Sequence, residues 1–173
     1  MIMRLLKGIG LLLVVLVVAM TVFFTLIRTD DMMIGFFPEG PGESIEFSTL
    51  VLKDTPNQYL VCPEDLCNGQ QHRVSAVYPT TAEDLASLWY DVVESKPRIE
   101  QKSIDNGNVN QVDYVQRTEL MQYPDWITVR FIDLGDRQST LAIYSRSVYG
   151  RSDLDVNQQR IDAWLSELDS LLP

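Results

Sequence analysis

The stretch Trp126-Ile127-Thr128-Val129-Arg130-Phe131-Ile132-Asp133, then Leu134-Gly135-Asp136-Arg137, then Ser139-Thr140-Leu141-Ala142-Ile143-Tyr144-Ser145-Arg146-Ser147 decides the fold. Ile127, Val129 and Phe131 alternate with other residues, the period-two signature of a strand with one buried face. Leu134-Gly135-Asp136-Arg137 turns the chain, and residues 139–147 read as the return strand. Further upstream, residues 98–104 lead into Asp105-Asn106-Gly107-Asn108, whose Asn-Gly is a strong hairpin signal. Residues 109–120 are then its second strand. Residues 73–78 predict one more strand, ended by Pro79, and residues 44–52 a short strand or extended arm. Residues 53–71, broken by Pro56, Pro63 and Gly69, read as a loop.

Two helical patterns enclose these strands. Thr80-Thr81-Ala82-Glu83 predicts a capping box, in which a Thr oxygen accepts from the first-turn amides and Glu83 reaches back. Leu85, Leu88, Trp89 and Val92 follow on one face, and Pro97 forbids continuation. At the end of the chain Ile161, Trp164, Leu165, Leu168 and Leu172 make a second apolar stripe, with Asp155 or Ser152 as its cap. The order β-α-β-β-β-β-α predicts an α+β fold: an antiparallel sheet of about five strands with two amphipathic helices on one face. The other face is then open, carrying Trp126, Tyr114 and Ile132.

Before this domain lies a different kind of sequence. Residues 8–27 carry no charge and are mostly Leu, Val, Ile and Phe. A helix of about 20 residues spans ~30 Å, the hydrocarbon thickness of a bilayer. A cleaved signal peptide has a shorter apolar core of about 7–15 residues and a small-x-small site. This run instead ends Phe23-Phe24-Thr25-Leu26-Ile27-Arg28. The expectation is an uncleaved transmembrane anchor in residues 1–28, a linker in 29–46 containing Gly35, Phe36-Phe37-Pro38 and Gly40-Pro41-Gly42, and the α+β domain in 47–173. Arg4 and Lys7 precede the run; Arg28 follows it, next to Asp30 and Asp31. The positive-inside rule then puts the amino terminus in the cytoplasm and the domain in the periplasm, as a single-pass inner-membrane protein.

All 24 acidic residues lie beyond the apolar run, against 11 basic ones after Arg28, so the exported part carries a net charge of −13. Such a surface repels phosphate backbones and excludes non-specific nucleic-acid binding. Cys62 and Cys67 enclose four residues. In an oxidising compartment they form a structural disulfide; the alternatives are free thiols and thiol chemistry. Two Cys and the single histidine, His72, fall short of the four ligands of a structural zinc site, so neither a metal nor a cofactor is expected. No G-x-S-x-G, H-E-x-x-H, P-loop or dinucleotide fingerprint occurs.

The stretch joining the last strand to the last helix concentrates Arg, Asp and Asn. One reading is a structural network in which Asp153 and Asn157 brace the turn and Arg151 or Arg160 pairs with them; the other is an anion site at the helix start. Gly150-Arg151-Ser152-Asp153-Leu154-Asp155-Val156-Asn157 resembles the C-terminal signature of domain-of-unknown-function family 1499, roughly R-S-x-S-R-x-G-x-S-D-x-G-x-N-x-x-R. Residues 117–127, with Arg117-Thr118 and Tyr123-Pro124-Asp125, are similar to a second block of that family. Pro56-Asn57-Gln58-Tyr59-Leu60 with the Cys62–Cys67 segment is similar to a third. The chain departs from the pattern at Val148, where the family has its second Arg, with Arg146 two positions earlier on the same strand face. It departs again at Asp155, where the family has Gly. The resemblance covers the chain from about residue 47 onward and implies a bacterial envelope or plastid protein without an established activity.

Two functions follow as expectations. The first is a non-enzymatic, membrane-anchored envelope domain that binds a protein partner or a small, lipid-like amphiphile. The second is an enzyme whose polar site gathers Arg117, Asp125, Arg151, Asp153 and Asn157 at the strand–helix junction.

Overall fold

A computed structural model describes residues 2–27, 30–102 and 110–172. The chain divides into two compact units, Met1–Pro38 and Glu39–Pro173. The first contains α1 (Ile2–Ile27) and α2 (Asp30–Phe36). α2 lies where Gly35 and Pro38 suggest a linker without helix; one glycine in a last turn costs only about 1 kcal/mol, and the helix stops before Pro38. The part of α1 described with its side chains, residues 8–23, is about 16 residues and ~24 Å long. Among the described residues no helix is long and apolar enough to cross a membrane.

The second unit is a mixed α+β structure. Its strands are β1 (Gln58–Cys62), β2 (Arg73–Val74), β3 (Ile99–Lys102), β4 (Gln111–Arg117), β5 (Pro124–Gly135) and β6 (Gln138–Ser147), and its helices are α3 (Ala82–Glu94) and α4 (Val156–Leu171). They form one six-stranded sheet in the order β2-β1-β6-β5-β4-β3. The sheet is therefore mixed rather than purely antiparallel, because β1 and β2 pair in parallel while the other neighbours are antiparallel.

β5 and β6 are the longest pair, joined by a two-residue turn. Asp136 and Arg137 are both left-handed there (φ 51° and 56°), the turn geometry whose twist matches that of the strands. The Asn106-Gly107 turn expected between β3 and β4 lies outside the described residues. β1 falls inside the segment read as a loop. All five of its residues are buried, so it shows no alternation, as expected of a strand covered on both faces. The strand expected over residues 73–78 is reduced to β2 and a single bridge from Tyr78 to Ser139, and both β2 residues are exposed at the sheet edge.

α3 and α4 pack on one face. Leu85 and Trp89 of α3 and Ile161 and Leu168 of α4 meet Val61, Ile127, Val129, Leu141 and Ile143 of the sheet, and the rings of Trp89 and Trp164 contact edge to face with centroids 5.8 Å apart. Each fully buried side chain of this size contributes ~1.5–3 kcal/mol. The cap of α3 sits one residue later than the Thr-x-x-Glu spacing suggests: Thr81 Oγ1 accepts from the Asp84 N–H at 3.1 Å.

The opposite face is covered, not open. Residues 39–52, partly read as linker from the sequence, run across it with Ile45 and Phe47 buried against Leu60, Cys62, Cys67, Ala142 and Tyr144. Trp126 Nε1 donates to Glu39 O at 2.9 Å. Tyr114 belongs to the helix-covered side. Cys62 and Cys67 are joined as a disulfide that closes the loop after β1.

His72 extends the β1–β2 ladder by one residue. Its N–H donates to Leu60 O at 2.9 Å, and its Nδ1 accepts from the Leu60 N–H at 3.0 Å. Burial holds its pKa below the ordinary 6.5, and a protonated Nδ1 would face a donor with a donor. Between the two values the unfolded chain binds a proton that the folded one refuses, so stability rises with pH. The urea midpoint is therefore expected to be constant above about pH 6.5 and to fall as the pH drops through that value. His72→Ala should lower the midpoint at pH 7.5 and flatten the dependence down to about pH 5.5, above the carboxylate range; an unchanged slope contradicts this role.

Candidate functional site

Two polar assemblies lie under the surface of the second unit, one on each face of the sheet. The first sits where α4 begins. Asp125 at the start of β5 and Ser145 and Ser147 near the end of β6 share the helix-covered face, with Asp125 opposite Ser147 in register. Arg160 of α4 reaches down to them: Nη2 donates to Asp125 Oδ2 at 2.6 Å, Nη1 to Asn157 Oδ1 at 2.9 Å and to Ser145 Oγ at 3.2 Å. Asn157, fully buried, donates to Asp153 Oδ2 at 2.6 Å and to Ser147 Oγ at 3.0 Å, and accepts from Ser145 Oγ at 2.5 Å. Asn57, just before β1, donates to Gly150 O at 2.7 Å, and its own carbonyl receives the Ser147 N–H.

The turn feeding this cluster is shaped by its backbone. Asp153 caps α4 in place of Asp155 or Ser152, accepting from the Asn157 N–H at 2.9 Å and from the Asp155 N–H at 3.2 Å. Leu154 and Asp155 are both left-handed, with φ 55° and 64°, and Asp155 makes no side-chain cap. That is the conformation glycine adopts without penalty, which gives a physical reason for the Gly of the family signature at this position.

Of the five residues singled out from sequence, the structure brings Asp125, Asp153 and Asn157 together. Arg117 is elsewhere: it donates to Gln122 O at 2.9 Å and pairs with Glu39 at 3.0 Å, clamping the start of the covering segment. Arg151 is exposed, away from the cluster's bonds. Arg160, Ser145, Ser147 and Asn57 complete the assembly. The ion pair Asp125–Arg160 is 3% and 7% exposed. His72 lies at the β1–β2 edge, and among the described residues no group of three His, Cys, Asp or Glu could hold a metal.

The second assembly faces the covering segment. Tyr144 Oη donates to Gln58 Oε1 at 2.6 Å, and Thr128 Oγ1 to the buried Asp113 Oδ1 at 2.6 Å. Arg146 lies between them, 5% exposed, with its guanidinium 5.0 Å over the Tyr144 ring. Its Nη1 donates to Thr128 Oγ1 at 3.3 Å, while Nη2 is buried and has no partner among the described residues. An unmet buried donor of this kind costs ~1–3 kcal/mol. Desolvation holds the Arg146 pKa below its ordinary value, opposed by Tyr144, Glu43 and Asp113. Arg146 lines a cleft of about 210 Å³ whose rim carries Glu39, Glu43, Lys53 and Trp126. In the sequence Arg146 stands out only as an arginine displaced by two positions from the family signature.

The fold and the two assemblies define a small mixed α+β domain held by a buried Ser/Asp/Asn/Arg network at its strand–helix junction. The chain belongs to the family described as "Protein of unknown function (DUF1499)", whose model matches residues 50–168. No curated protein matches it.

Asn157→Ala should lower the unfolding free energy by about 3 kcal/mol, because Asp153, Ser147 and Arg160 each lose a buried partner. Asp155→Gly should raise it by about 0.5–1 kcal/mol, relieving a left-handed backbone against some added chain entropy. Urea unfolding of both variants checks the pair. Equal and small effects would show that the network does not brace the turn.

Proposed function

We propose that this protein is a single-pass inner-membrane protein that holds a periplasmic, non-enzymatic binding domain, with a protein partner or a small amphiphile as its ligand. The observation that carries the reading is the surface of α1. Its described apolar side chains are exposed one after another, Leu11 at 67%, Val17 at 63% and Met20 at 62% among them. A contiguous apolar patch of that extent marks contact with lipid or another protein. The uncharged run continues in the sequence past the described side chains to Ile27, and a helix over all of residues 8–27 would be ~30 Å long, the hydrocarbon thickness.

Orientation rests on Arg4 and Lys7 before the run against Arg28, Asp30 and Asp31 after it. The Cys62–Cys67 disulfide suits an oxidising compartment such as the periplasm. A binding role is favoured over the enzyme alternative because Asp125, Asp153 and Asn157 are committed to one another and to Arg160. A general acid or base needs a group free to exchange a proton with substrate.

Bacterial membranes washed with alkaline carbonate should retain the full-length chain, and protease added to spheroplasts should digest the Glu39–Pro173 unit. Release into the wash contradicts the anchor. Digestion only from the cytosolic side of inverted vesicles contradicts the orientation.

A further inference from the structure

We infer that the cleft beneath residues 39–43 binds a small oxyanion, a phosphate or carboxylate group, through Arg146 and Lys53. The inference deepens the binding-domain reading and rests on it only for where the ligand comes from.

The cleft contains a cation that the protein leaves incompletely paired. Arg146 is buried, and one of its terminal nitrogens has no partner among the described residues. Its nearest bonded link to a carboxylate runs through Thr128 to Asp113. Glu39, the acidic residue at the start of the cleft wall, is already held by Arg117 at 3.0 Å and by Lys102 at 2.7 Å. Lys53 adds a second positive charge on the rim, exposed and in no ion pair among the described residues. Within a unit of strongly negative net charge, two cations meeting at one recess make a local attraction for an anion. A guanidinium with free N–H groups suits a phosphate or carboxylate in particular, because both offer paired oxygens at matching spacing.

Size narrows the ligand. Pockets that enclose a whole drug-sized molecule run to about 300–1,000 Å³. At about 210 Å³ this recess fits a charged group rather than an entire amphiphile. Trp126 and Val148 give it an apolar side against which the remainder of such a ligand could lie. Gly40 and Gly42, both left-handed at φ 74° and 73°, form part of the cleft wall. Glu43, exposed on the same segment and electrostatically coupled to Arg146, is the group that an incoming anion must displace or tolerate.

The test uses full-length protein in a non-ionic detergent, titrated with inorganic phosphate at constant ionic strength and followed by calorimetry and thermal melting. The expected result is saturable binding complete by about 10 mM phosphate, with a matching rise in Tm. Lys53→Gln should weaken binding about five-fold and Glu43→Gln should tighten it about five-fold, the scale of one exposed charge. Arg146→Met should abolish it. Lys53 and Glu43 are exposed, so their variants keep the test valid if Arg146→Met does not fold. No saturable response, a response reproduced by sodium chloride, or an affinity unmoved by both exposed variants overturns the inference.

The same titration in nanodiscs separates the sources. A response kept in phosphatidylcholine but lost in phosphatidylglycerol assigns the oxyanion to an anionic lipid headgroup. Equal responses in both assign it to a free solute. Absence of phosphate binding with retention in carbonate-washed membranes refutes the cleft and leaves the anchor. Binding by a chain that the wash releases does the reverse.

Discussion

Asp125 and Arg160 lie 2.6 Å apart with almost no access to water, and the second unit is organised around satisfying that pair. A buried ion pair is tolerated only when its geometry is good and the remaining donors and acceptors are also met. Arg160 therefore shares its other terminal nitrogen between Asn157 and Ser145, and Asn157 passes the demand on to Asp153 and Ser147. Through Asn57, whose carbonyl takes the Ser147 N–H, the same chain of bonds reaches the start of β1. One polar cluster thereby joins α4 to β5, β6 and β1, which hydrophobic contact alone would leave free to slide. The cost appears in the turn that precedes α4, where two non-glycine residues are left-handed.

The two faces of the sheet divide the work. Helices close one face around the Trp89–Trp164 contact. An irregular segment closes the other, held by Arg117 to Glu39, by Trp126 to the Glu39 carbonyl, and by Arg130 to Glu46. The Arg130 contact holds the Glu46 carboxyl down to about 2, so this clasp keeps its charge through ordinary pH. A covering made of loop rather than helix leaves recesses, and the one over Arg146 is where a cation is left short of partners. The brace on the first face uses Ser145, Ser147, Asp153, Asn157 and Arg160, five positions at which the chain keeps the family signature.

The parts of this architecture that the sequence made legible are those with clean periodicity. The apolar stripes of α3 and α4, and the alternation along β5, follow from which face each element buries. β1 was hidden because Gln58-Tyr59-Leu60-Val61-Cys62 is buried on both sides and sits between Pro56 and Pro63, so the flanking turn signals outweighed a strand without alternation. Asp153 and Asn157 were readable as a local brace because they lie four residues apart at a helix start. Asp125 meets Arg160 only through strand pairing and helix packing, across 35 positions, and no local pattern encodes that. Arg117 stands in a recognisable motif, yet its work is to hold residue Glu39 of the covering segment, a contact no local pattern encodes. Arg146 is legible in the sequence only as a displaced signature residue; its burial and its unpartnered nitrogen are tertiary facts.

The central claim is that the Asp125–Arg160 pair acts as a coupled unit that holds the junction together. A double-mutant cycle with Asp125→Ala, Arg160→Ala and the double variant, read by urea unfolding, tests it most directly. Each single change should cost about 3–5 kcal/mol by stranding a buried charge. The double variant should cost less than the two together, with a coupling of about 2 kcal/mol or more. Costs that simply add, with a coupling within about 0.5 kcal/mol of zero, would contradict it.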